Sequence, residues 1–85
     1  MGNIIMQRYT TVYLKKLVSD INEKRGYGRN PAYSTIGAID LDWAYGGVKV
    51  IEYVSNGGAE RDLSKHGYGT KKEAGLFLEG MNHDY

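Results

Sequence analysis

The chain has 85 residues and a net charge of +1, enough for one small domain with a thin core and no global pull toward nucleic acid or toward basic partners. It has no cysteine, which excludes disulfide staples, thiol nucleophiles and thiolate metal sites and fits a reducing compartment. No apolar run approaches the roughly 20 residues of a membrane span, and the start lacks the order of a signal peptide, so the expected location is the cytoplasm, without membrane contact.

The first nine residues, MGNIIMQRY, read either as a short extra strand or as a lead-in to a helix. Thr10 or Thr11 can cap a helix running to about Arg25. Leu14, Leu17, Val18 and Ile21 fall at the i, i+3, i+4, i+7 spacing of one apolar stripe, and Gly26 stops the helix. Gly26 to Tyr33, GYGRNPAY, is a turn-rich connection holding the sole proline. With Tyr27, Arg29 and Tyr33 it is either a plain connector or a contact segment.

Ile39 to Leu63 reads as three short strands joined by tight turns at Gly46-Gly47 and Asn56-Gly57, dipeptides that supply positive φ. Two-residue turns at both places set Trp43 opposite Val50, Leu41 opposite Glu52, Glu52 opposite Arg61 and Val50 opposite Leu63. Alternation then gathers Ile39, Leu41, Trp43, Val48, Val50, Val54 and Leu63 on one face, the expected core, with Trp43 largely buried. Glu52 is anomalous there, and Arg61 across the hairpin is its expected partner.

The opposite face collects Asp40, Asp42, Ile51, Tyr53, Glu60 and Asp62, with Lys49 near one end. A metal site is not indicated. Asp42 and Asp62 lie on the outer strands, roughly 9–10 Å apart, too far for direct coordination at about 2.3–2.6 Å. The face is either an ordinary solvated surface or an acidic patch suited to a basic protein.

Ser64 to Gly69, SKHGYG, leads to a second helix. His66 has no neighbouring histidine, and no spacing marks a catalytic triad. Thr70 and Glu73 form a capping box, and Ala74, Phe77, Leu78 and Met81 make a second core stripe. Gly75 and Gly80 each weaken this helix by about 1 kcal/mol relative to alanine. Asn82 to Tyr85 reads as a frayed tail. The expected fold is one two-layer α+β domain over residues 1–85: a helix, a three-stranded antiparallel meander and a helix, with both helices on one face of the sheet.

The order helix, three strands, helix, with Lys71, Lys72 and Ala74 opening the last helix, resembles the double-stranded RNA-binding domain. That family's long loop between its first two strands is replaced here by Gly46-Gly47. The likeness implies a phosphate-binding surface at Lys65, His66, Lys71 and Lys72. The segments AYGGVKV, SNGGAERDLS and GTKKEAGLFLEGM, in that order, are similar to small accessory proteins of tailed phages. This second likeness implies a protein that binds and disables a host protein, such as a restriction or CRISPR nuclease.

The leading expectation is therefore a non-enzymatic inhibitor that needs no cofactor. It would cover a basic nucleic-acid channel with Asp40, Asp42, Tyr53, Glu60 and Asp62. The alternatives are a nucleic-acid-binding module or a nucleotide sponge using Lys65, His66, Lys71 and Lys72.

Overall fold

The computed structural model describes residues 9–65 and 67–83. The elements are α1 (Thr11–Lys24), β1 (Ile39–Ala44), β2 (Gly47–Tyr53), β3 (Glu60–Asp62) and α2 (Lys71–His83), and the strands form one antiparallel sheet in the order β1-β2-β3. This is the predicted α+β architecture. The predicted lead-in or strand over the first residues falls outside the described residues up to Arg8, and so does His66.

Both helix starts follow from local chemistry. The Thr10 hydroxyl accepts the Tyr13 amide at 3.1 Å. At α2 the capping box is complete: Glu73 donates its amide to Thr70 Oγ1 at 3.0 Å, and the Thr70 amide donates to Glu73 Oε1 at 2.8 Å. Gly26, with φ 92°, closes α1: the Gly26 amide donates to the Glu23 carbonyl and the Tyr27 amide to the Asn22 carbonyl. That pair of bonds is a Schellman closure, which needs the left-handed residue that glycine supplies without steric cost.

One core forms from the two helical stripes and one sheet face. Leu14, Leu17, Val18 and Ile21 of α1 and Ala74 and Leu78 of α2 bury against Ile39, Val48 and Val50. Each fully buried aliphatic side chain contributes roughly 1.5–3 kcal/mol. Leu41, Leu63, Phe77 and Met81 pack around the rim. Glu52 pairs with Arg61 across the second hairpin as predicted, and Arg25 at the end of α1 joins them, its Nη1 3.1 Å from Glu52.

The first hairpin corrects the predicted register. Its turn is Tyr45-Gly46, with φ 55° and 76°, so Trp43 lies opposite Val48 and Leu41 opposite Val50. Two positive φ values are what a two-residue hairpin turn of this hand needs. Gly47 belongs to the strand because Gly69 pairs with Val48 beside it, and a Cβ at 47 would lie 2.9 Å from the Gly69 carbonyl oxygen. The shift is two residues, so every side chain keeps its predicted face.

Trp43 nevertheless moves to the end of the sheet, outside the buried cluster, where it is 42% exposed instead of buried. Val54 follows the last strand pair and is also exposed. The second hairpin keeps its predicted register, but its positive φ is at Gly58, after a turn closed by the Gly58 amide and the Ser55 carbonyl. α2 also runs further than predicted, to His83, because Lys24 Nζ bonds both the Asn82 carbonyl and its side chain.

β1 is an edge strand. The Tyr53 amide donates to the Ala38 carbonyl, so by antiparallel alternation Asp40, Asp42 and Ala44 bond β2 while Ile39, Leu41 and Trp43 turn their main-chain groups outward. The Asn22 carboxamide of α1 fills the place of a neighbouring strand at Ile39. It accepts the Ile39 amide at 2.8 Å and donates to the Ile39 carbonyl at 3.0 Å.

Candidate protein-binding face

The face opposite the helices is built differently from a plain solvated surface. Ile51 at its centre is 1% exposed and Tyr53 is 7% exposed. Two loops fold over its margins. The connection after α1 brings Tyr33 edge-on to Tyr53 at 5.4 Å between ring centroids, and Ser34 Oγ donates to the Asn56 carbonyl at 2.9 Å. Arg29 of this connection is engaged with Asp20 at 2.7 Å and Glu23 at 3.0 Å, so its charge serves to hold the connection to α1. On the other side, pairing of Gly69 with Val48 carries Tyr68 back over the sheet, where Lys49 Nζ lies 4.6 Å from its ring centroid.

The five predicted acidic-face residues divide into three roles. Asp40 and Asp42 accept tyrosine hydroxyls, from Tyr53 at 2.8 Å and from Tyr68 at 2.5 Å. Those phenols are correspondingly hard to ionise. Burial, then the Asp40 hydrogen bond, raises Tyr53, and the Asp42 hydrogen bond, then burial, pushes Tyr68 up to about 12. Glu60 is exposed, and its carboxyl is held above the usual range by partial desolvation and by the charge of the nearby Asp42. Asp42 and Glu60 therefore converge although they start on opposite edge strands.

Asp62 is a brace. It accepts Ser64 Oγ at 2.9 Å and the Lys65 and Gly67 amides at 3.0 Å each, bonds that outweigh desolvation and hold its carboxyl below the ordinary value. Tyr53 lies under Tyr33 and acts as a support for Asp40. The carboxylates presented outward are thus Asp40, Asp42 and Glu60, with Lys49, 3.9 Å from Asp42, as the cation among them. No group of three or more His, Asp or Glu side chains among the described residues could hold a metal ion.

Sequence reasoning missed Tyr68 in this site. The glycines that flank it, Gly67 and Gly69, were the available signal, since they let the chain double back onto Val48.

The predicted basic residues that are described have separate surroundings. Lys65 has φ 61° in the exposed loop, Lys71 reaches over Trp43 at 6.0 Å from the ring centroid, and Lys72 is exposed. The start of α2 between them already holds an anion of its own, the Glu73 carboxylate on the Thr70 amide. No helix among the described residues is long and apolar enough to cross a membrane. Comparison with known protein families, with curated proteins and with solved structures finds no match for this chain.

Proposed function

We propose that this chain is a non-enzymatic, phage-type accessory protein of the cytoplasm that binds and inhibits a host protein, and that its target is a nuclease or another nucleic-acid-handling protein with a basic channel. The observation that carries this reading is the convergence of Asp40, Asp42 and Glu60 over the buried Ile51, with Tyr53 and Tyr68 setting two of the carboxylates in place. Carboxylates held at fixed positions can occupy sites where phosphates would otherwise lie, and complementary charge steers such an encounter. The Glu73 carboxylate at the start of α2 counts against the phosphate-binding alternatives, because an incoming phosphate would meet a like charge there.

The test is capture of the target from host lysate, followed by titration of the purified pair. Asp42→Asn with Glu60→Gln should abolish binding and leave the fold intact, since an amide oxygen at position 42 can still accept the Tyr68 hydroxyl and Glu60 is exposed. Lys71→Ala with Lys72→Ala should bind like the parent. Duplex nucleic acid should compete for the same site on the target. Undiminished binding by the folded charge-neutralised variant refutes the reading.

A further inference from the structure

The outer edge of β1 is open beyond Ile39. Asn22 satisfies Ile39, and Asp40 Oδ1 accepts the Leu41 amide at 2.8 Å. The Leu41 carbonyl and both main-chain groups of Trp43 face outward with no partner among the described residues. Beside them runs a groove of about 270 Å³. Val18, Leu41, Trp43 and Asp40 line it, together with Lys15 of α1 and residues 29–33 of the connection. Natural edge strands are usually blunted by charge, proline, a bulge or a covering element. Among the described residues only Ile39 of this edge is covered, and the sole tryptophan stands exposed next to the remainder.

We propose that this edge accepts an extended segment of the partner protein as a fourth strand, with basic side chains alternating with apolar ones. The proposal rests on the acidic face being the docking face and states how the partner engages it. A strand added to β1 continues the sheet, so one set of its side chains enters the groove against Val18, Leu41 and Trp43. The alternate set falls next to Asp40 and Asp42, where Lys or Arg is favoured and Asp or Glu is repelled.

The same charges disfavour a second copy of this chain. Antiparallel pairing of two β1 strands about Asp42 sets that carboxylate against itself, and pairing about Leu41 sets Asp40 against Asp42. Pairing about Trp43 runs each strand into the other's turn at Tyr45-Gly46.

The experiment titrates the full chain with a capped peptide of alternating lysine and valine, read by Trp43 emission and by hydrogen exchange of the Trp43 amide. The expected result is a blue shift, slower exchange and at least tenfold weaker binding of a glutamate–valine peptide. Strand pairing also predicts that N-methylation weakens binding at least tenfold at only one of the two residue sets: the valines if the added strand is antiparallel, the lysines if it is parallel.

Indifference to N-methylation at both sets overturns the strand and leaves charge docking standing. Equal binding of the glutamate–valine peptide removes the acidic face as the selector, and the docking reading falls with it. A β1-paired dimer in sedimentation, or nuclear Overhauser contacts from residues 1–8 to the Trp43 amide without peptide, would give the edge a different occupant and overturn the proposal.

Discussion

Asn22→Ala tests whether one helical side chain anchors the open edge of the sheet. Asn22 is 1% exposed and makes two hydrogen bonds, at 2.8 and 3.0 Å, to a residue that is itself 2% exposed. Each bond contributes roughly 0.5–1.5 kcal/mol net, and a buried group left without a partner costs about 1–3 kcal/mol. The groove that Asn22 lines offers water a route to the vacated space, so the lower end of that penalty applies. Alanine recovers about 0.6 kcal/mol of helix propensity. The expected net loss is about 2 kcal/mol by urea denaturation, with unchanged slope, and faster exchange of the Ile39 amide. Asn22→Leu should cost more, because its side chain fills the space without bonding and keeps water out. A loss below about 0.5 kcal/mol for Asn22→Ala, with Ile39 protection intact, would refute the anchoring role.

The two glycines of α2 should behave oppositely. A Cβ at Gly80 meets nothing within 4 Å, so Gly80→Ala should stabilise by about 1 kcal/mol. A Cβ at Gly75 runs into the Tyr9 ring, so Gly75→Ala should destabilise and displace Tyr9, seen as loss of the Tyr9–Glu79 contact in side-chain spectra. Phenolate absorbance should show late titration. Tyr13, bonded to Glu79 at 2.6 Å, and Tyr68 are both raised to about 12 in the folded chain. A phenol raised on folding stabilises fully below the unfolded value of about 10, and that contribution is lost as pH climbs toward 12. Stability should therefore fall between pH 10 and 12, and Tyr68→Phe should reduce that slope. A flat profile there would contradict the hydroxyl–carboxylate bonds.

Much of the fold was legible because its signals are local. A capping box needs only Thr70 and Glu73, a helix stripe needs only spacing, and a closure needs only Gly26. The Glu52–Arg61 pair was legible because the second hairpin holds its register over a few residues. The first turn was not: the chain reads as turning at Gly46-Gly47, whereas the turn at Tyr45-Gly46 depends on Gly69, 22 positions after Gly47, passing too close for a side chain at Gly47. Which carboxylates remain outward was hidden for the same reason.

By itself the sequence determined the element types, the alternation of faces and the grouping of acidic residues on one of them, since each depends on spacing along the chain. Tertiary structure alone decided that Asp62 braces a loop, that Tyr53 lies buried beneath Tyr33 and that Tyr68 sits over the acidic face. It also decided that Trp43 stands at an open edge outside the buried core. These outcomes depend on where segments far apart in the chain meet, and no pattern of nearby residues encodes such a meeting.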